Sequence, residues 1–286
     1  MTPIGIVRHA TPGAFRARAE SWLLRQEAEN NLVLGLAAQV EASMTGYEPP
    51  VYFATAERDG EILGCAFRTP PFNLGITRLS MEAVAPLVSD VAAMYGSLPG
   101  VLGADPGAAA VARSWSGLRR LSVRTAMRER IYSLERVIDP PRPAPGHARK
   151  ATEADAGTVV RWGDAFGVET GVPAKEERLL ELMAQGRMFV WDDGGPRSMA
   201  ALNGETPNGC RIGYVYTQPD GRGRGYASAC VAAASRHVLR GGRRFCFLYT
   251  DLSNPTSNSI YRRIGYEPVC DVVDYRFGRP PAGHEE

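Results

Sequence analysis

One stretch of the sequence combines residue types that could bind a phosphate. A β-rich run at 212–217 is followed by a turn with three glycines at 218–225, and an alanine-rich helical segment at 226–239 comes next. A strand, a turn and a helix in this order leave the first backbone N–H groups of the helix without intrahelical partners, at the positive end of the helix dipole. Because such groups bind phosphate oxygens, we expect an anion site at this turn.

Two common nucleotide-binding motifs do not fit the turn. The dinucleotide fingerprint GxGxxG ends in glycine, but its last position is Tyr226 when counted from Gly221 and Ser228 when counted from Gly223. The phosphate loop GxxxxGK needs a lysine, and no lysine follows Lys175. The spacing therefore excludes both kinds of nucleotide site.

The pattern that fits is Arg-x-x-Gly-x-Ala, at Arg222, Gly225 and Ala227. It resembles the cofactor signature of the GNAT superfamily of N-acetyltransferases, which lies at a strand-to-helix turn. Small residues let the backbone approach a pyrophosphate closely, and the helix N-terminus supplies a favourable field. The competing interpretation is a glycine-rich turn with a structural role alone.

A second motif follows in the order that this family implies. The sequence carries Asn254, the small residue Ser257, Tyr261 and the pair Gly265-Tyr266. It is similar to the superfamily pattern Asn-x-x-Ala-x-x-Leu-Tyr-x-x-x-Gly-Phe. The resemblance covers about residues 147–277 and extends to the first half of the chain only as a repeated architecture.

The resemblance implies a role for each matching residue, with acetyl-CoA as the co-substrate. Strand residues Val215 and Thr217 would offer backbone hydrogen bonds to the pantetheine arm, the turn would hold the pyrophosphate, and Asn254 would bind the arm as well. Tyr261 would protonate the departing thiolate as a general acid, although it could instead be a core tyrosine. The implied cofactor-binding residues are Val215, Tyr216, Thr217, Arg222, Gly223, Arg224, Gly225, Tyr226, Ala227, Ser228, Asn254, Ser257 and Tyr261.

The base that such a reaction needs is not fixed by the sequence. An amine is mostly protonated near neutral pH and must lose a proton before it attacks a thioester. Glu169, in a loop after the first helix of this half, and Asp251, at the end of a strand, are candidates, although either could be a solvated side chain or a cap. Cys230 and Cys246 are better explained as core residues than as acyl-carrying nucleophiles.

A proline-rich segment divides the chain nearly in half. Four prolines at 139–147 predict an extended linker between an N-terminal domain at 1–138 and a C-terminal domain at 148–286. Early in the first domain we predict a helix at 13–30 and, later, a short strand at 76–79.

The two halves show the same order of predicted elements. We therefore expect an α+β fold of tandem GNAT-like domains, each a mixed, largely antiparallel sheet flanked by helices; the alternative is two unrelated α+β domains. The first half lacks Arg-x-x-Gly-x-Ala after its third strand, and its helix at 106–117 lacks the Asn and the Tyr. We expect a degenerate copy that binds no acetyl-CoA and acts as a built-in pseudo-dimer partner or shapes the acceptor pocket.

Composition excludes several classes of protein. The 33 basic and 31 acidic residues nearly cancel and form no long run of one sign, so we expect no nucleic-acid partner and no membrane partner. The five cysteines are odd in number without a CxxC pair, and the four histidines are scattered, so we expect neither a disulfide framework nor a bound metal. A cytoplasmic protein fits best, and the internal duplication leads us to expect a monomer.

The resemblance implies an N-acetyltransferase that would move an acetyl group from acetyl-CoA to a primary amine of a small molecule or peptide, by direct attack in a ternary complex. Two alternatives stay open. One is a regulatory protein that senses acetyl-CoA without turnover. The other is an aminoacyl or peptidyl transferase of the same tandem fold that uses charged tRNA, which the even charge balance does not favour.

Overall fold

The computed structural model describes residues 2–44, 47–139 and 143–279. The chain divides into two compact units. The first contains the chain up to Ile131, Asp251–Ser253 and the chain from Val269 onward, and the second contains Tyr132–Thr250 and Asn254–Pro268. The division at 139–147 stays a prediction about the two sequence copies; residues 140–142 of that linker and the end of the predicted C-terminal domain at 280–286 lie outside the described residues.

The strands are β1 (Gly5–Arg8), β2 (Tyr52–Arg58), β3 (Glu61–Arg68), β4 (Leu74–Ile76), β5 (Gly100–Gly103), β6 (Ser122–Leu134), β7 (His147–Lys150), β8 (Met188–Asp192), β9 (Pro196–Glu205), β10 (Gly209–Thr217), β11 (Phe245–Asp251) and β12 (Glu267–Gly278). The α-helices are α1 (Pro12–Leu23), α2 (Asn31–Ala42), α3 (Val84–Met94), α4 (Gly107–Arg119), α5 (Ala156–Thr170), α6 (Glu176–Ala184), α7 (Tyr226–Arg240) and α8 (Pro255–Arg263).

One order of elements occurs twice along the described chain. A strand, two helices, three strands, a helix, a strand, a helix and a strand run from β1 to β6, and the same order runs from β7 to β12. Each repeat mixes antiparallel pairs with one parallel pair, β4 with β5 and β10 with β11. The predicted tandem, mixed fold with flanking helices is confirmed.

In the second unit the strands lie in the order β7-β8-β9-β10-β11, antiparallel up to β10. Alternate residues of β8 point to opposite faces, as a strand requires. Met188 and Val190 pack with helices α5 and α6, whereas Phe189 packs with α7 and α8. The sheet is therefore a central layer with helices on both faces.

The first unit has the same layering. Its strands lie in the order β1-β2-β3-β4-β5-β12-β6, so the last strand of the second repeat pairs with β5 of this unit. Tyr52 packs with helices α3 and α4, and its neighbour Phe53 packs with α1 and α2. Both faces of this sheet are again covered.

The first repeat differs from the sequence prediction in four elements. Helix α1 starts at Pro12, where the Thr11 hydroxyl accepts a hydrogen bond from Ala14 N at 3.1 Å, and ends well before the predicted residue 30. Helix α2 and strand β1 were not predicted, because an apolar run such as 32–40 has no clear period and a four-residue strand shows little alternation. Strand β4 covers Leu74–Ile76 and not 76–79.

Candidate functional site

Strands β10 and β11 part at the point where the predicted site begins. They pair in parallel at Gly209↔Phe245, Cys210↔Cys246 and Arg211↔Phe247. Beyond Arg211 the described residues of β10 have no register partner in β11. The unpaired edge of β10 leads directly to the glycine-rich turn, so an extended molecule could hydrogen-bond to this edge as an added strand would.

A bulge shapes the unpaired part of β10. Between Gly213↔Ala201 and Tyr216↔Met199, strand β10 contains one residue more than β9. Tyr214 takes up the extra length with φ +49°, a conformation that costs a residue with a side chain about 1–2 kcal/mol. Its ring packs edge-on against Phe166 of α5, with 5.8 Å between centroids, which fixes the bulge against a helix.

The turn presents backbone N–H groups as predicted. Gly225 is the N-cap of α7, and the first intrahelical hydrogen bond runs from Ala229 N to Gly225 O at 3.0 Å. The N–H groups of Tyr226, Ala227 and Ser228 thus precede the helical ladder, and no described side chain caps them. The first turn of α7 contains no acidic residue, so its field favours an anion.

Both glycines near the helix start have left-handed backbone, Gly223 with φ +79° and Gly225 with φ +84°. A Cβ on Gly223 would meet no atom within 4 Å, and one on Gly225 would lie 3.7 Å from the Ala144 Cβ, an ordinary contact. Backbone conformation, and not lack of space within the protein, therefore explains glycine at these two positions.

The Arg222 side chain ties the turn to two neighbours. Its Nε donates to Thr217 O at 3.0 Å, and its Nη2 donates to both carboxylate oxygens of Glu169 at 2.7 and 2.9 Å. Glu169 lies inside α5, and not in a loop as predicted, because that helix continues to Thr170 before Gly171 ends it with φ +71°. Its carboxylate is engaged by Arg222, so the geometry does not support Glu169 as a free base.

The strand residues and Tyr226 are held by side chains of the second unit. The Ser198 hydroxyl donates to Tyr216 O at 2.9 Å and accepts from the Thr217 hydroxyl at 2.9 Å. The Tyr226 hydroxyl donates to Asp193 Oδ2 at 2.6 Å, and its ring is buried. Tyr226 can therefore offer a ligand its backbone N–H but not its side chain. Val215 is half-buried and packs against the same core cluster as Tyr261.

Asn254 is the N-cap of α8. Its Oδ1 accepts a hydrogen bond from Ser257 N at 3.0 Å, which satisfies one of the free N–H groups at the helix start. Since a backbone N–H can only donate, the amide nitrogen Nδ2 points away from that bond. No described group accepts a hydrogen bond from Asn254 Nδ2, so it is available to a ligand carbonyl.

Tyr261 lies in the core of the second unit. Its side chain is 7% exposed, and its ring packs edge-on against Tyr266 with 6.0 Å between centroids. Burial raises the pKa of Tyr261 to about 12, so its phenol keeps its proton throughout the neutral range. It fits a proton donor better than a base. The core interpretation, which was the alternative, also describes its packing.

The other predicted candidates have structural partners. Asp251 caps the turn after β11, where its Oδ1 accepts from Ser253 N at 2.8 Å and its Oδ2 accepts from the Ser253 hydroxyl at 2.7 Å. Cys230 and Cys246 are fully buried, and burial raises the pKa of each thiol to about 12. At neutral pH they are thiols in a core and not nucleophiles.

The corresponding region of the first unit differs in charge. Strands β4 and β5 pair at Leu74↔Val101 and Gly75↔Leu102, and a Cβ on the next residue, Gly103, would lie 2.8 Å from the carbonyl oxygen of Ile76. Glu82 stands in the helical turn that precedes α3 and pairs with Arg58. A carboxylate at that position disfavours a phosphate. The Glu82 carboxylate supports the prediction that the first half is a degenerate copy.

Three residues of the site carried no signal in the sequence. Tyr214 forms the bulge, Ser198 holds the neighbouring strand residues, and Tyr132 at the end of β6 contacts α8. A bulge at a residue other than glycine has no reliable sequence signature, and the other two contacts join residues far apart in sequence. Only the folded chain reveals them.

No group of three or more His, Cys, Asp or Glu side chains within the described residues could hold a metal ion. None of the helices in that part of the chain combines the length and the apolar character that crossing a bilayer requires.

Known proteins resemble this chain at the level of sequence and fold. Residues 193–274, which include the turn and α8, match the family model described as FR47-like protein. A mycothiol acetyltransferase of Saccharomonospora viridis is 30% identical over 100 residues, which are 33% of this chain and 31% of that protein. The matched region thus spans about a third of the curated relative.

Solved structures extend the likeness over the whole chain. A GCN5-related N-acetyltransferase from Sphaerobacter thermophilus matches with a TM-score of 0.62 at 20% identity and covers 97% of both chains. A tandem GNAT protein from the clavulanic acid biosynthesis pathway matches with a TM-score of 0.55 at 13% identity, over 98% of this chain and 100% of its own. Together with the repeated order of elements, these likenesses show that the chain has the fold of these tandem GNAT proteins, and that residues 193–274 resemble the FR47-like family.

Proposed function

We propose that this chain is an N-acetyltransferase whose C-terminal half binds acetyl-CoA and transfers the acetyl group to a primary amine. The observation that carries the proposal is the parted edge of β10 ending at the N-terminus of α7. The unpaired edge of β10 and the three uncapped N–H groups of α7 lie in one continuous stretch of sequence, from Ile212 to Ser228. A molecule with an amide-rich arm and a pyrophosphate matches both parts.

In this proposal acetyl-CoA has a definite orientation. The pyrophosphate would accept hydrogen bonds from the N–H groups at the start of α7, where no acidic side chain opposes it. The pantetheine arm would run along β10 at Val215, whose neighbours Tyr216 and Thr217 are held by Ser198. Asn254 Nδ2 would donate to an arm carbonyl, because its Oδ1 is occupied by Ser257 N.

The chemistry is direct attack by the amine nitrogen on the thioester carbonyl. The new C–N bond replaces the C–S bond, and the CoA thiolate that departs takes up a proton. Tyr261 would supply that proton, since its phenol is protonated at neutral pH. A route through an acyl-cysteine is disfavoured because burial raises the pKa of Cys210, Cys230 and Cys246 well above neutral pH.

The amine must also lose a proton, and neither Glu169 nor Asp251 is free to take it. We therefore expect the rate to rise with pH as the neutral fraction of the acceptor amine grows. The acceptor in this proposal is a small molecule or a peptide. We also propose that the chain works as a monomer, since the internal repeat supplies the surface that a second subunit would; a stable dimer in light scattering would overturn that.

Calorimetric titration of acetyl-CoA into the purified chain is the first test. Binding at one site per chain is expected. Two sites would show that the first half also binds, and no binding would refute the proposal. A panel of primary amines, with release of the CoA thiol as the signal, then separates an enzyme from a regulatory protein that binds acetyl-CoA without turnover.

A further inference from the structure

A buried tyrosine of the first repeat reaches the helix that carries Asn254. Tyr132 belongs to β6, the last strand of the first repeat, but it lies in the second compact unit. Its side chain is 1% exposed, and its hydroxyl is 3.1 Å from Asn258 Oδ1 in α8. The Asn258 amide nitrogen is 2.8 Å from the carbonyl oxygen of Asn254. The three residues form a chain that ends at the N-cap.

The direction of each hydrogen bond follows from the groups involved. The carbonyl of Asn254 can only accept, so the Asn258 atom facing it is Nδ2 and the atom facing Tyr132 is Oδ1. The Tyr132 hydroxyl must therefore donate. The Ser257 N–H can only donate, which places Asn254 Oδ1 toward the helix and leaves Nδ2 for a ligand. Tyr132 thus fixes Asn258, and Asn258 fixes the residue whose amide would meet the arm.

We propose that Tyr132 and Asn258 are positioning residues for the pantetheine arm of acetyl-CoA, acting through Asn254. This inference rests on the proposed function. It assigns to the first repeat a direct part in the site of the second, although neither residue contacts the thioester. The hydroxyl of Tyr132 would matter for affinity toward the arm and not toward the nucleotide part of acetyl-CoA, which the turn at α7 would hold.

The test compares two ligands by calorimetry, acetyl-CoA and 3′-phosphoadenosine diphosphate, the part of CoA that lacks the arm. Tyr132→Phe removes one buried hydroxyl and keeps the ring. We expect about 2- to 10-fold weaker binding of acetyl-CoA, the worth of one hydrogen bond, and unchanged binding of the nucleotide fragment. Tyr52→Phe is the matched control, because its hydroxyl is also buried and donates to Asp90 Oδ2 at 2.7 Å in the first unit.

A second variant tests the route through Asn258. Asn258→Ala should weaken acetyl-CoA binding at least as much as Tyr132→Phe, and the double variant should be no weaker than Asn258→Ala alone, because both act on one chain of bonds. Thermal melting of each variant reports folding. Equal loss of both ligands in Tyr132→Phe, unchanged acetyl-CoA binding, or additive losses would overturn the inference. A wild-type chain that binds no acetyl-CoA would overturn the proposed function itself, and this inference with it.

Discussion

Gly225 offers the sharpest test of the proposal that this turn binds the pyrophosphate. It is the N-cap of α7 with φ +84°, and a Cβ built there would meet only the Ala144 Cβ at 3.7 Å. A substitution at this position is therefore decided by backbone conformation and not by collision within the protein. Asparagine adopts left-handed backbone comparatively readily, whereas a β-branched residue such as valine rarely does.

The expected effects differ by an amount that calorimetry resolves. Gly225→Val must either accept strain of about 2 kcal/mol or rotate the backbone away from φ +84°. Rotation displaces the N–H groups of Tyr226 and Ala227. Losing one hydrogen bond to a charged group costs about 1.5–3 kcal/mol, so acetyl-CoA should bind about 10- to 150-fold more weakly. The affinity of Gly225→Asn for acetyl-CoA should stay within about threefold of the wild-type affinity, because asparagine adopts left-handed backbone with only a fraction of the strain that valine meets.

The control lies at the other end of the same helix. Gly242 follows α7, has φ +90°, and has no atom within 4 Å of a built Cβ. Gly242→Val should lower the melting temperature about as much as Gly225→Val but leave the affinity for acetyl-CoA unchanged. If Gly225→Val and Gly242→Val both melt earlier and both bind acetyl-CoA as wild type does, the turn is not the pyrophosphate site.

Three further predictions address the proton donor, the ion pair at the turn and stability in acid. Tyr261→Phe should lower turnover about 100-fold or more with unchanged acetyl-CoA affinity, and unchanged turnover in this variant would contradict the role of Tyr261 as proton donor. Because burial raises the pKa of Tyr261 to about 12, its phenol should cause no fall in the wild-type rate as pH rises to about 10. Glu169→Gln removes an exposed partner of Arg222, so we expect little change in melting temperature but up to about fivefold tighter acetyl-CoA binding by calorimetry, and unchanged or weaker binding would argue against an anion beside Arg222. Arg149 holds the pKa of Asp155 down to about 2, so Asp155→Asn should cost about 2 kcal/mol in urea unfolding at neutral pH. The Asp155 carboxylate stabilises the folded state above its unfolded pKa of about 4 and loses this effect as pH falls toward 2. If the wild type and Asp155→Asn still differ in unfolding free energy at pH 2, the ion pair with Arg149 is not the cause of the difference.

Much of the fold was predictable because its signals are local. Local signals predicted the same order of elements in both halves, the strand-turn-helix at 212–239 and the second motif on α8. Each of these features depends on residues that are close together in sequence. Element types follow from hydrophobic period and from turn residues such as Gly225. The short strand β1 and the apolar helix α2 escaped because neither has a distinct period.

The sequence by itself determined which backbone N–H groups could bind a phosphate. The glycines at 223 and 225 and the helix after them present these N–H groups without help from residues distant in sequence. Only the tertiary structure decided what surrounds it. Three features involve segments separated by dozens of residues: the point where β10 parts from β11, the ion pair of Glu169 with Arg222, and the hydrogen bond from Tyr132 to Asn258. Hydrogen bonds across such distances depend on how strands and helices pack, and packing is a property of the whole folded chain.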